Sequence, residues 1–167
     1  MLRCRRGDTS ALETLIGKYE RPLFYFIRRI VRTESDAWDA LQKTWLRLFL
    51  NPPQDGSGRS LKAWLYRVAR NAALNHSRDE GNHSSVVLDE SACEVSGEES
   101  DFDVFEFESV HRALDQLDRP DREVLTLHFL EDLSTREVAE VLDIPQGTVK
   151  WRLHVAKKKL RQRLEKP

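Results

Sequence analysis

The 167-residue chain is poor in cysteine, glycine and proline, with two, seven and six of each. Cys4 and Cys93 stand 89 positions apart with no Cys/His cluster around them. That excludes a disulfide framework and a zinc knuckle, and it predicts a reducing, cytoplasmic setting. Few turn-forming residues argue against a β-rich fold. No stretch approaches the roughly 18 consecutive apolar residues of a membrane span, so no membrane insertion is expected. Met1 to Asp8 carries basic residues with no apolar run behind them, which predicts no secretory signal. A Gly-rich phosphate loop, a nucleophile elbow and an H-E-x-x-H motif are all missing. The five histidines, His76, His83, His111, His128 and His154, show no paired-ligand spacing. Glu80 with His83, and Glu108 with His111, match the E-x-x-H half-motif of di-iron bundles, but the supporting carboxylate helices are absent. We read both as chance matches. The expectation is a protein that is not an enzyme and holds no cofactor or metal.

Charge is present but segregated. The formal net charge is −1. Residues 1–79 hold 15 basic and 8 acidic side chains, a net of +7. Residues 80–108 hold no Lys or Arg and 10 acids, a net of −10. Residues 109–167 return to +2, with 8 basic residues and one acid concentrated in 150–167. Two readings fit such basic blocks: surfaces for a polyanion, above all nucleic acid, or plain solvated helix faces.

Apolar residues recur at three- and four-residue steps through most of the chain, which is the signature of amphipathic helices. Between Thr9 and Arg32 the spacing predicts two helices, with Pro22 opening the second. The run Thr33-Glu34-Ser35-Asp36 supplies caps for a helix over about 35–50. A turn-forming loop at 51–58 leads to a helix over about 60–78. Residues 79–104, rich in Gly, Ser and acids, predict a poorly ordered linker. Helices resume at 106–117, 120–130, 134–142 and 146–164. The fold class expected is all-α: two small helical domains, 1–78 and 106–167, joined by a flexible acidic linker, 79–105.

The sharpest local signal spans Leu133 to Lys150. Ser134 and Glu137 form a capping box, S-x-x-E. Val138, Ala139 and Leu142 face inward, Asp143-Ile144-Pro145 makes a short turn, and Val149, Leu153 and Ala156 continue the inner stripe. This is a helix-turn-helix unit. Its second helix offers Gln146, Thr148, Lys150, Trp151, Arg152, His154, Lys157 and Lys158 to DNA. The N-terminal part of such a helix enters the major groove, placing Lys150, Trp151 and His154 near base edges. Lys157, Lys158, Lys159 and Arg161 are placed to reach phosphates, which position without specifying sequence.

The L-S-x-x-E-V-A…I-x-x-G-T-V-K pattern resembles two families: the second DNA-binding domain of sigma factors, and the effector domain of response and quorum-sensing regulators. The N-terminal half decides. D-A-W-D-A-L-Q-K-T-W from Asp36 to Trp45 and W-L-Y-R-V-A-R-N from Trp64 to Asn71 resemble domain 2 of the extracytoplasmic-function (group 4) sigma factors of the sigma-70 family. That family shows D-A-x-D-x-x-Q-E-T-F and W-L-x-R-I-A-R-N. The resemblance covers about 7–78 and 106–164. A response regulator needs an α/β receiver domain, and no strand pattern exists here.

The resemblance implies a role rather than a reaction. Sigma factors bind core RNA polymerase and bring it to promoter DNA. Domain 2 docks on the clamp of the largest subunit and captures flipped bases of the −10 element. Domain 4 binds the −35 duplex and a flap of the second-largest subunit. The implied polymerase contacts are Asp39, Gln42, Thr44 and Arg47, on the polar side of their helix. The implied −10 residues are Trp64, Arg67, Arg70, Asn71, Asn75 and Arg78. These basic and amide side chains recur every three or four residues and suit a strand backbone with an extruded base. Trp64 could support the base pocket, but a large aromatic at helical spacing more often belongs to the core. The acidic linker fits either an RNA mimic or a solubilising tether. Anti-sigma factors hold many members, and the free chain is expected to be a monomer. Lys43 replaces a Glu, Trp38 a polar residue, Trp151 a Ser and Val155 a basic residue, while 51–58 lacks the usual aromatic element. Two further functions compete: a stand-alone helix-turn-helix regulator, separable by its lack of affinity for core polymerase, and a helical metal enzyme, separable by metal analysis.

Overall fold

The computed structural model describes residues 9–53, 60–79 and 109–165, except the side chains at positions 9, 11 and 77–79. All regular structure among the described residues is helical. The chain runs through α1 (Thr9–Arg28), α2 (Glu34–Leu50) and α3 (Leu61–Asp79). It resumes in α4 (109–115), then α5 (Arg119–Leu125), a π-helical turn (Thr126–Leu130), α6 (Thr135–Leu142) and α7 (Gln146–Leu164). The expected linker falls almost wholly outside the described residues, as does most of the 51–58 loop.

Pro22 does not open a second helix. It lies inside the 20-residue α1, which continues unbroken to Arg28. Proline removes one backbone donor from a helix interior. Here the flanking residues Leu23, Phe26 and Ile27 are fully buried, and that packing holds the helix together across the lost bond. Each such side chain contributes roughly 1.5–3 kcal/mol when taken out of water.

The start of α2 follows its local chemistry. The Thr33 hydroxyl accepts from the Asp36 N–H at 3.1 Å, and the Asp36 carboxylate accepts from the Thr33 N–H at 3.2 Å. Ala37, Ala40, Leu41, Thr44 and Leu48 then form its buried stripe. The stripe packs against both α1 and α3. The Phe26 and Tyr66 rings meet edge-on at 5.2 Å between centroids, closing the core of the first three helices.

In the second half, the expected helix over 120–130 divides. It is α-helical only to Leu125 and then widens, with the Glu131 N–H bonding back to the Thr126 carbonyl at 3.0 Å. The wider turn delivers Leu133 inward, where its N–H meets the Leu127 carbonyl at 3.0 Å. His128 Nδ1 donates to the Leu133 carbonyl at 2.7 Å and pins the exit.

The two halves pack on each other through α3 and α6. Their buried apolar residues join in one continuous cluster.

Candidate nucleic-acid and polymerase interfaces

The helix-turn-helix is built as its sequence predicts. The Ser134 hydroxyl accepts from the Glu137 N–H at 3.3 Å, and the Glu137 carboxylate accepts from the Ser134 N–H at 2.9 Å and from its hydroxyl at 2.7 Å. Burial pushes the Glu137 carboxyl up, but the Ser134 bonds, with Ser60 and Lys62 nearby, outweigh it and hold the group below its ordinary range. α6 ends at Asp143 in the left-handed conformation, φ 57°. The Ile144 N–H bonds back to the Ala139 carbonyl at 3.2 Å, the closing bond of a Schellman end. Asp is among the few non-glycine residues that tolerate this conformation.

The turn aims α7 so that Val149, Leu153 and Ala156 are buried. The opposite face presents Lys150, Trp151, His154, Lys157 and Lys158 to solvent. Trp151 is 65% exposed, unusual for a large aromatic without an internal packing role. Thr148 and Arg152 are half-buried at the edges of this face. Gln146 is exposed and its amide donates to the Thr135 hydroxyl at 2.8 Å, tying the two helices together. Lys157 Nζ lies 4.5 Å from the centre of the Phe129 ring. Lys159, expected to reach phosphate, is instead turned onto its own domain. Its ammonium donates to Asp118 at 3.1 Å and to Asp121 at 2.5 Å, and these bonds raise its pKa.

α3 separates its expected residues by face. Asn71 and Asn75 are exposed, and Arg67 is half-buried beside them. At about 100° per residue, 67, 71, 75 and 78 share one face. The side chain of Arg78 lies outside the described ones. Trp64 is half-buried against the core, so its ring serves packing. Arg70 turns away from the asparagines: its Nε and Nη2 both lie 3.2 Å from Glu123 Oε2 on α5.

Asp39, Gln42 and Arg47 are exposed on α2, free for a partner. Thr44 is not. It is 0% exposed, and its hydroxyl donates to the Ala40 carbonyl at 2.8 Å. Four residues beyond Ala40 and seven beyond Ala37, it stands on the buried stripe, and that spacing was the overlooked signal. Lys43 is exposed and its ammonium donates to His76 Nε2 at 2.7 Å. Trp38 is partly covered: its ring lies 4.4 Å from that of Phe24, and its N–H donates to Glu34 at 3.2 Å.

Sequence reasoning missed a set of polar contacts between the halves. Arg29 at the end of α1 donates to His111 Nδ1 and lies 3.6 Å from Asp115. Burial, with the Arg29 charge beside it, pushes the His111 imidazole down to about 4. Burial raises the Asp115 carboxyl despite Arg29 and Arg122 nearby. Lys62 donates to the Glu131 carbonyl, and the Tyr66 hydroxyl to the Glu131 carboxylate. Burial and that carboxylate push the Tyr66 hydroxyl well above its ordinary value. Such pairings have no local sequence signature. Of the two E-x-x-H matches, Glu80, His83 and Glu108 lie outside the described residues, and His111 is engaged by Arg29.

Residues 15–83 match the family described as Sigma-70 region 2, and residues 107–160 match Sigma-70, region 4. The chain is 29% identical to the RNA polymerase sigma-H factor of Pseudomonas aeruginosa, over 98% of this chain and 91% of that one. It is 26% identical to the ECF RNA polymerase sigma factor SigW of Bacillus subtilis, over 96% and 92%. Its fold is similar to that of the sigma factor RpoE of Bartonella quintana, solved with the anti-sigma factor NepR. That likeness has a TM-score of 0.69 at 21% identity, covering 92% of this chain and 96% of that one.

Proposed function

The chain belongs to the sigma-70 family as a non-enzymatic ECF sigma factor that acts with core RNA polymerase at promoter DNA in transcription initiation, and from that premise we propose how its surfaces divide the work. It falls in the group 4 subgroup and works in the cytoplasm as a monomer when free. No helix among the described residues is long and apolar enough to cross a membrane.

Residues 1–78 dock on the polymerase clamp through Asp39, Gln42 and Arg47, and Asn71 and Asn75 on α3 read an extruded base of the −10 element. Each asparagine offers both a donor and an acceptor to a base edge. Arg67, with Arg70 when free of Glu123, holds the strand backbone. Residues 79–105 connect this domain to 106–167, which reads the −35 duplex through α7. The observation that carries this reading is the outward face of α7. Lys150, Trp151 and His154 stand solvent-exposed on its first turns, while the same turns bury Val149 and Leu153. Lys157 and Lys158 follow one turn later, placed for phosphates. The RpoE of Bartonella quintana, solved with the anti-sigma factor NepR, supports an anti-sigma factor as a further partner of this chain.

Size-exclusion chromatography with sigma-free core polymerase from the native host, followed by run-off transcription on promoter fragments, tests the proposal. Co-elution with promoter-dependent transcripts is expected. A folded chain that binds duplex DNA but not the core would favour the stand-alone regulator instead.

A further inference from the structure

The outward face of α7 carries a residue whose exposure charge does not explain. Trp151 is 65% exposed. Three other exposed aromatic rings have partners: Trp38 stacks on Phe24, Tyr25 meets Phe24 edge-on, and Lys157 stands over Phe129. Among the described residues, Trp151 has no hydrogen bond and no ring contact. An indole brings about 150–250 Å² to an interface that covers it. Left in water, that area does nothing for the fold.

The surroundings of Trp151 indicate what covers it. The 19 residues of α7 include no Asp or Glu. Lys150 and His154 are exposed beside the indole, and Lys157 and Lys158 follow one to two turns later. Lysine is depleted where proteins meet proteins, whereas a helix face of one positive sign suits DNA. Trp151 is the sixth residue of α7, within the turns that a recognition helix lays against base edges. Gly147 stands one turn before it on the same face, and a helical side chain leans back over the preceding turn. A Cβ at Gly147 would meet nothing within 4 Å. The helix backbone there is bare, so a base edge can approach it closely beside the indole.

The chemistry of the side chain selects the base. Indole is a flat apolar body with one N–H donor and no acceptor. In the major groove thymine presents a methyl group with the O4 acceptor next to it. Guanine offers acceptors without an apolar group. Cytosine offers an amine donor, which the indole N–H cannot answer, and adenine pairs such a donor with its acceptor. Thymine matches both the apolar body and the donor of Trp151.

We infer that Trp151 is a specificity-determining residue that reads the methyl edge of a thymine in the −35 duplex, with the bare backbone at Gly147 letting that edge approach. The inference rests on the reading of α7 as the −35 helix proposed above.

The test uses holoenzyme reconstituted from the full-length chain and core polymerase of the native host. Transcription from a native promoter with its −35 element randomised gives the preferred sequence for wild type and for Trp151→Ala; circular dichroism checks that the variant is folded. The wild type is expected to prefer thymine at one position, and Trp151→Ala to lose the preference there alone. Templates with deoxyuridine in place of each −35 thymine in turn then delete one methyl at a time. At the position facing Trp151 the wild type is expected to lose about fourfold in initiation, the effect of one buried methyl group. Trp151→Ala is expected to lose nothing there, so that the two changes are coupled. No thymine preference in the wild type, a preference that survives in Trp151→Ala, or an equal deoxyuridine penalty in both would each overturn the inference. So would a Trp151→Ala variant that loses core binding with promoter choice unchanged, which would assign the ring to a protein partner. Failure of the α7 reading is distinguishable: Lys150→Ala with His154→Ala would then leave −35 dependence unchanged as well.

Discussion

The Thr44 hydroxyl donates to the Ala40 carbonyl at 2.8 Å, inside the buried face of α2. Thr44 therefore supports the fold, and the proposed polymerase contacts fall to its exposed neighbours Asp39, Gln42 and Arg47. Thr44→Val keeps the shape and removes a bond to a carbonyl of the same helix. It is expected to change stability by no more than about 1.5 kcal/mol and to leave core binding intact. Asp39→Ala and Arg47→Ala are expected to stay within about 0.5 kcal/mol of wild type while weakening core binding. Urea denaturation and a core-polymerase titration separate the two effects.

The capping box makes a prediction about stability alone. Ser134→Ala removes the acceptor for the Glu137 N–H, at a cost of about 1 kcal/mol, within a range of about 0.5–2. A lowered midpoint in thermal or urea unfolding checks it.

Gly147 has open space where a side chain would stand, with nothing within 4 Å. No packing inside the chain requires a glycine there. Gly147→Ala is therefore expected to stabilise the fold by up to about 1 kcal/mol and to weaken −35 duplex binding, because the added methyl stands on the face of α7 proposed to enter the groove. A gain in both stability and DNA affinity would place the duplex elsewhere.

On the recognition face, Lys150→Ala with His154→Ala is expected to reduce −35-dependent initiation about tenfold or more. Loss of one phosphate contact, as in Lys158→Ala, should lower the salt slope of DNA binding by about 1. Unchanged promoter choice in the double variant would argue against this face.

The His111 imidazole, held to about 4 against an ordinary 6.5, makes stability depend on pH. Between those values the unfolded chain binds more protons than the folded one, so stability falls as pH drops from about 6.5 to about 4. Arg29 from α1 faces the imidazole and also approaches Asp115 of the same helix as His111, which Arg122 of α5 approaches in turn. The raised Asp115 carboxyl opposes the trend, because the folded form takes up its proton first. Urea midpoints at pH 5 and pH 7.5 should differ more in wild type than in His111→Gln.

What the sequence revealed was mostly local. The capping pairs Thr33 with Asp36 and Ser134 with Glu137 lie three residues apart, and a stretch of four residues contains all their chemistry. The inward stripe of α7 obeys the same short-range rule. The misses have longer-range causes. Pro22 is a helix opener by local preference, but packing on Leu23, Phe26 and Ile27 carries α1 through it. The π turn at Thr126–Leu130 exists to bring Leu133 into a core contributed by distant segments. Thr44 counts as polar in any pattern, although its hydroxyl is satisfied within its own helix. The ion pairs of Lys159 and Arg70 have no trace in the local sequence, because their acidic partners are 38 and 53 positions away.

The division of labour between α3 and α7 is tested most directly by photo-crosslinking in a reconstituted polymerase–promoter complex. A photoreactive residue is placed at position 71 in one sample and at position 154 in another. Position 71 is expected to crosslink to the non-template strand of the −10 element, and position 154 to the −35 duplex. Both positions crosslinking to the same element, or the two exchanging elements, would contradict it.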